Sequence, residues 1–151
     1  MQLSPNFTLK ELTASDYATR NGIDNTPSSE IIESLKRTCQ GLELIRALVG
    51  GKPITIKSGY RCPKVNTGIG GARNSQHVVG EAADITIHGI SNKELYNRIK
   101  TNLSHEVDQC ISEFPDIDGE PAWIHVSFSE HGRGEFLIAT KVNGKTLYQK
   151  D

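Results

Sequence analysis

One stretch does most to decide how this chain folds, and it reads SQHVVGEAADITI at residues 75–87. Its second half predicts a β-strand at residues 82–87. The segment before it, residues 59–76, is rich in glycine, asparagine and arginine. An ordered loop of that length inside a compact domain is usually functional. The stretch therefore joins a functional loop to a strand.

Upstream of this stretch, the sequence predicts a long helix followed by a strand. At residues 29–48 apolar side chains recur every three or four positions, a serine can cap the start, and two glycines follow the end. Residues 53–58 alternate apolar and polar side chains, which is the period of a half-buried strand. Residues 1–27 contain scattered apolar residues among turn formers. We expect them to wrap the domain, with at most one helical turn near residues 9–12.

Downstream, the sequence predicts a short helix and four strands. The helix opens at residues 91–94, which have capping-box form. The strands are expected at residues 107–114, 122–128, 136–142 and 145–149. The last two flank Asn143-Gly144, a dipeptide typical of type I′ turns, so residues 135–151 should form a C-terminal hairpin. This order predicts an α+β fold, with an antiparallel sheet packed on helices, in a single domain of residues 1–151.

Composition and charge argue against several classes of protein. Lys and Arg total 17 against 18 Asp and Glu, for a net charge of -1, so nothing favours binding to nucleic acid or to an anionic membrane. No apolar run approaches the ~20 residues that span a bilayer, so we expect no stable membrane insertion. The first residues have no signal-peptide pattern, which predicts a protein that is cytoplasmic when synthesised. The three cysteines lack C-x-x-C spacing and are interpreted as idle or packed thiols.

Two imidazoles and one carboxylate stand out as candidate metal ligands. His77 and Asp84 lie in the stretch quoted first, and His125 lies in the strand predicted at residues 122–128. Histidine nitrogen and carboxylate oxygen both suit zinc, and three protein ligands leave a fourth position for water. Alternation along the strand would turn its even-numbered residues to the core and its odd-numbered residues to a cleft. The core set would be Ala122, Ile124, Val126 and Phe128, and the cleft set His125 and Ser127.

Five sequence motifs in this chain resemble those of a known family. The motifs are S-x-H-x-x-G-x-A-x-D at residues 75–84, WIHVS at 123–127, LSPNFTLKEL at 3–12, SGYR at 58–61 and GGARNSQH at 70–77. Together they resemble the zinc D-alanyl-D-alanine carboxypeptidase family. That family includes the L-alanyl-D-glutamate endopeptidases used as phage endolysins and shares its fold with the hedgehog signalling domain. The resemblance implies a hedgehog-like DD-peptidase fold and Zn²⁺ held by His77, Asp84 and His125.

The resemblance leaves the catalytic base open. The family often places an acidic residue three positions before the last histidine ligand, and here that position is Ala122. Two glutamates could replace it. Glu113 ends the preceding predicted strand, as in hedgehog-like members, whereas Glu120 follows a predicted turn. We favour Glu113, because the end of a strand paired with the His125 strand would be held rigidly near the metal.

Three further residues are candidates for the site, Arg61 by the same resemblance and Ser75 and Gln76 by their position beside His77. Arg61 falls at the family's substrate-binding arginine and could hold a carboxylate or stabilise an oxyanion, although it could also pair with a nearby acid for loop structure. Ser75 and Gln76 flank the first ligand and could bind substrate or orient that ligand.

The resemblance implies a zinc metallopeptidase that hydrolyses the stem peptide of bacterial peptidoglycan. Such an enzyme would reach the wall after release by a holin-like partner or from a virion, as in phage or prophage lysis, and we expect a monomer. One alternative is a carboxypeptidase or dipeptidase that trims terminal D-alanine. Another is a non-catalytic zinc-binding domain or virion protein, which the alanine at position 122 keeps open.

Overall fold

The computed structural model describes all residues 1–151 and contains eight strands and five α-helices. The strands are β1 (Gln2–Ser4), β2 (Phe7–Thr8), β3 (Ile54–Ser58), β4 (Ala82–Ile87), β5 (Gln109–Glu113), β6 (Trp123–Ser127), β7 (Glu135–Val142) and β8 (Lys145–Lys150). The helices are α1 (Leu9–Thr13), α2 (Asp16–Arg20), α3 (Ser29–Leu48), α4 (Pro63–Gly68) and α5 (Asn92–Asn102), with a 3₁₀ helix at Gln76–Val79. No helix is both long and apolar enough to cross a bilayer.

The main sheet has six strands in the order β3-β4-β6-β5-β7-β8. Every neighbouring pair is antiparallel except β5 and β7, which are parallel. The predicted α+β class is confirmed, and the one parallel pair is a feature that the sequence did not predict. It arises because the chain leaves β6, crosses the start of β5 and returns along the other side of that strand.

One face of the sheet packs on helices and forms the core. Helix α3 begins and ends as predicted, with Ser28 accepting a hydrogen bond from the Ile31 amide at its start. Its buried side chains meet those of the central strands and of α5. The largest fully buried members of this layer include Leu35, Leu42, Ile45, Ile85, Leu95, Ile99, Ile124 and Val126. Because strand side chains alternate, the other face of the same strands is free to carry polar groups.

The N-terminal segment is more ordered than its sequence indicated. It contains a two-stranded sheet and two short helices, of which the first lies at the helical turn expected near residues 9–12. Each helix has a side-chain cap at its start. Thr8 and Glu11 form a reciprocal capping box at α1, and Ser15 caps α2. Asn25 then donates to the carbonyls of Thr13 and Tyr60, at 2.9 and 3.1 Å. The segment is thereby bound to the loop that follows β3.

Two other differences concern loops and strand ends. The predicted loop at residues 59–76 contains helix α4, whose first residue is Pro63, a position where a missing amide hydrogen costs nothing. Ala122 is exposed, so its predicted place in the core is wrong, because β6 begins one residue later. Ile124, Val126 and Phe128 do lie in the core, as predicted.

The C-terminal strands and the cysteines agree with their predictions. Strands β7 and β8 form an antiparallel hairpin around Asn143 and Gly144, whose φ angles are 52° and 78°. Positive φ at both central residues is the requirement of a type I′ turn. The three cysteines are all free thiols.

Candidate metal centre

The polar face of the sheet brings the two imidazoles and the carboxylate together. Asp84 on β4 and His125 on β6 are direct register partners, and His77 reaches them from the 3₁₀ helix. One ligand atom from each residue lies within 4.8 Å of the others. The His77 Nε2 atom and the His125 Nδ1 atom lie 3.2 and 3.3 Å from the same Asp84 Oδ1 atom. All three residues are buried, so the cluster is a compact candidate metal centre.

Local sequence explains how His77 is held. Ser75 caps the 3₁₀ helix by accepting from the His77 amide, and Gly80 ends it with a φ of 77°. Thr38 on α3 donates to the Gly80 carbonyl at 2.8 Å. A Cβ atom at Gly80 would also approach Ile31 to 3.0 Å. Glycine is therefore required both by the backbone angle and by the close approach to α3.

The residues of the cluster fit zinc. The His77 Nδ1 atom lies 2.7 Å from the Gly59 carbonyl oxygen, so it carries the hydrogen and leaves Nε2 as the free lone pair facing Asp84. Burial alone would raise the pKa of Asp84, but the two facing imidazoles outweigh it and hold that pKa well below its usual range. The ionised carboxylate and the imidazole nitrogens match the donor types of catalytic zinc sites, in which three protein ligands leave a fourth position for water.

Glu113 lies on the same face, at the end of β5. Its register partner is Trp123, two residues from His125, so the glutamate and the histidine occupy adjacent rows of the sheet. Burial is the main influence on this carboxyl and raises its pKa to about 7, although the charges of His125 and Arg61 oppose the shift. A carboxyl group with this pKa can accept and return a proton near neutral pH.

Glu120 is placed elsewhere. Its Oε1 atom accepts hydrogen bonds from the amides of Asn92 and Lys93, at 2.6 and 3.2 Å. These are the first amides of α5, which have no partner within the helix. Glu120 thus caps a helix and does not line the cleft.

Arg61 is a fixed part of the cleft wall. Its guanidinium donates to Ser58, Asn66 and Asp84, at 3.0, 3.2 and 3.2 Å. The side chain is 13% exposed and therefore still reaches the cleft. The ion pair with Asp84 links Arg61 directly to the candidate metal ligands, so both functions considered from the sequence, loop structure and substrate binding, are compatible with its position.

Gln76 and Ser127 are connected through a residue that sequence reasoning missed. Gln76 lines the cleft and donates to the Asp108 Oδ2 atom at 2.7 Å. Ser127 is fully buried and lies 3.5 Å from the same oxygen, so its predicted place in the cleft is wrong. Arg133 also binds Asp108, through its backbone amide at 3.1 Å and its guanidinium at 2.9 Å. No motif marks Asp108, because its partners come from distant parts of the chain.

The complete cleft is large for a chain of this size. It has a volume of about 1110 Å³, with the candidate metal ligands, Glu113 and Arg61 along its lining. Phe114 lines it as well, although a regular strand would turn consecutive residues to opposite faces. Its φ of 50° breaks that alternation, which is uncommon for an aromatic residue. The cleft can therefore accommodate an extended peptide beside a metal, a proton acceptor and a cation.

The family model described as Peptidase M15 matches residues 5–127, which include the three candidate ligands, Glu113 and Arg61. The chain is also similar to the zinc D-Ala-D-Ala carboxypeptidase of Streptomyces albus G, with 46% identity over 44 residues. That segment is 29% of this chain but only 17% of the Streptomyces enzyme, so the likeness covers a small part of that relative. Because the family match covers most of the chain, the chain belongs to the Peptidase M15 family.

Proposed function

We propose that this protein is a zinc-dependent peptidase that hydrolyses peptide bonds in the stem peptide of bacterial peptidoglycan. The observation that carries the proposal is the convergence of His77, Asp84 and His125 on the floor of a peptide-sized cleft. The proposal is also supported by the family membership and by the similarity to an enzyme named for zinc and for a D-Ala-D-Ala substrate.

The three ligands would hold the metal, and Glu113 would move the proton. Bound zinc supplies a Lewis acid that polarises a carbonyl oxygen and makes water a better nucleophile at neutral pH. The Glu113 carboxylate accepts the proton of the attacking water and delivers it to the nitrogen of the departing amine. Its position in the row next to His125 places it beside the candidate metal ligands in the cleft, and a pKa of about 7 suits both transfers.

Arg61 would stabilise negative charge beside this centre. Its Nη2 atom binds the Asp84 Oδ2 atom, and its remaining N–H groups can donate to a carbonyl oxygen or to a substrate carboxylate. A preorganised cation that meets charge as it develops lowers the barrier without reorganisation. Ser75 and Gln76 would position the His77 loop and the substrate from the opposite side.

The test is digestion of purified muropeptides with the zinc-loaded protein and mass spectrometry of the products. We expect two fragments whose masses sum to that of the substrate plus one water. Release of free D-alanine would identify a carboxypeptidase, whereas cleavage within the peptide would identify an endopeptidase. The Glu113→Gln variant is the matched control, since it changes one atom of the proton acceptor. A zinc-loaded parent that cleaves no bond would contradict the proposal and favour a non-catalytic zinc domain.

A role in phage or prophage lysis is the finer part of the proposal. The resemblance of the sequence motifs to a family that includes phage endolysins supports it, and release by a holin-like partner would bring the enzyme to its substrate. Coexpression with a holin in a bacterial host should lyse the cells when the parent is present and spare them when Glu113→Gln replaces it. Equal lysis with both proteins would contradict this role.

A further inference from the structure

The C-terminal hairpin forms one wall of the cleft although it lies beyond the residues that match the family. The match ends at residue 127, whereas β7 and β8 begin at Glu135 and Lys145. Four of their side chains line the same cleft as the candidate metal ligands: Leu137, Lys141, Thr146 and Tyr148. The hairpin is therefore part of the site and not an appendage to it.

The pairing of β5, β7 and β8 explains why Tyr148 lies on the cleft face of the sheet. Glu113 pairs with Ala139, and Ala139 pairs with Tyr148, so the three residues form one row across the sheet. Residues paired in this way project from the same face, and successive strands lie about 4.8 Å apart. Glu113 and Tyr148 both line the cleft, on either side of the small Ala139 side chain. Burial and the negative charges of Glu113 and Asp84 raise the pKa of Tyr148, so the hydroxyl stays protonated and can donate.

Lys141 and Thr146 form the next row. They are register partners, and they share the face of Tyr148 because they lie two residues from Ala139 and from Tyr148. The Lys141 Nζ atom lies 5.6 Å from the centre of the Phe114 ring, which holds the ammonium at the cleft. Phe114 itself packs edge to face on Trp123, at 5.6 Å between ring centres. An aromatic platform thus supports the cation.

These three side chains have donor capacity that the protein does not use. None of Lys141, Thr146 and Tyr148 makes a side-chain hydrogen bond or an ion pair within the chain. By contrast, Arg61 and Arg133, the other cations of the cleft, are both bound to carboxylates. An ammonium and two hydroxyls on one face form a set of donors suited to a carboxylate.

We propose that Lys141, Thr146 and Tyr148 form a subsite that binds a carboxylate of the peptide substrate. The inference rests on the proposed function, because it takes the ligand of the cleft to be a peptide. The subsite would select among substrates by adding affinity for those with a free acid at the matching position.

The experiment compares two synthetic stem peptides that differ only in whether one carboxylate is free or amidated. With the zinc-loaded parent, we expect a lower KM for the free acid. Lys141→Met should raise that KM about tenfold or more, the usual size of a charge-assisted hydrogen bond, and remove the preference over the amide. Tyr148→Phe should act in the same direction with a smaller effect, and Lys141→Arg should retain the preference.

Two variants on the opposite face of the hairpin serve as matched controls. Lys145→Met removes the same charge one position from the turn, where Lys145 pairs with Val142 and faces away from the cleft. Leu147→Ala changes a residue that is 52% exposed, close to the 56% of Tyr148. Both should keep the parental KM on both peptides, and zinc content and Tm should be the same in all variants.

The outcomes separate the subsite from the function on which it rests. If the parent cleaves the peptides and Lys141→Met behaves as Lys145→Met does, the subsite is overturned and the proposed function stands. If the parent shows no preference for the free acid, the subsite is likewise overturned. If the parent cleaves neither these peptides nor natural muropeptides, the proposed function fails and the subsite fails with it.

Discussion

The sheet centre consists of β4, β5, β6 and the adjoining 3₁₀ helix, and the C-terminal edge consists of β7 and β8. Both line the cleft, but they hold their side chains differently. In the centre, His77, Asp84 and His125 are 2, 6 and 8% exposed, and each contacts another member of the cluster. At the edge, Tyr148 is 56% exposed, and its hydroxyl has no partner within the chain. The side chains of the centre are therefore already held in place by contacts within the protein, whereas those of the edge have hydrogen-bond donors available for a ligand.

The largest effect is expected from breaking the centre itself. His77→Ala removes one of three metal ligands, so the variant should lose most of its zinc and all measurable peptidase activity. Elemental analysis of the purified parent and variant checks the first result. If both hold the same stoichiometric zinc, the ligand assignment is wrong.

The second effect separates proton transfer from metal binding within the centre. Glu113→Gln should keep zinc and fold but lose on the order of 10²-fold or more in rate, the usual size of a general-base contribution. Steady-state kinetics on one muropeptide measures it. Glu120→Gln is the control, since Glu120 caps α5 and does not line the cleft. A large loss in Glu120→Gln alone would transfer the role to that residue.

The third effect is a loss of stability, expected from changing Asp108, which lies where the sheet centre joins the C-terminal edge. Asp108 holds the crossover between β6 and β7 through Arg133 and binds Gln76 beside the first ligand. Asp108→Asn removes charge-assisted hydrogen bonds from a buried site, which should cost about 2 kcal/mol of unfolding free energy. Denaturant unfolding at neutral pH measures this loss. A variant as stable as the parent would mean that the crossover does not depend on this ion pair.

The same residue predicts how stability depends on pH. Burial would raise the pKa of Asp108, but hydrogen bonds from Arg133 and Gln76 outweigh it and lower that pKa to about 2, from 3.8. The ionised form therefore stabilises the fold above its ordinary pKa, and this contribution is lost as the pH falls towards 2. Unfolding curves between about pH 5 and pH 2 should show a smaller loss in Asp108→Asn than in the parent.

The smallest effect is expected at Arg61. Arg61→Lys keeps a positive charge beside Asp84 but loses the planar fork, so turnover should fall about tenfold with zinc content unchanged. Because the lysine cannot reproduce the bonds to Ser58 and Asn66, a small decrease in Tm should accompany it. If Tm instead falls by many degrees and the folded fraction keeps parental specific activity, Arg61 is only a loop anchor.

Sequence patterns predicted the elements whose signals are local. Helix α3 has its own cap and apolar stripe, and the β7–β8 turn has its own Asn-Gly pair, so both were placed within a residue or two. In the N-terminal segment, α1 lies at the helical turn expected near residues 9–12, whereas α2 was missed because it depends on its cap at Ser15 more than on periodicity.

Features that depend on distant contacts could not be predicted in this way. The parallel pairing of β5 with β7 depends on a crossover held by Asp108 and Arg133, which lie 25 positions apart. The same crossover brings the hairpin to the cleft, so the edge could not be assigned to the site from its sequence. The candidate ligands could be proposed from the sequence because their motifs are distinctive. The capping of α5 by Glu120, which supports Glu113 as the proposed base, depends on the position of that helix in the fold.

We expect a single metal held at the sheet centre to make this chain a peptidase, and zinc titration tests this most directly. Metal-free protein is titrated with zinc while the rate of muropeptide cleavage is followed. The rate should rise linearly to one zinc per chain and then remain constant, and His77→Ala should stay inactive throughout. Full activity without metal, or a saturated metal centre with no cleavage in the parent, would contradict the account.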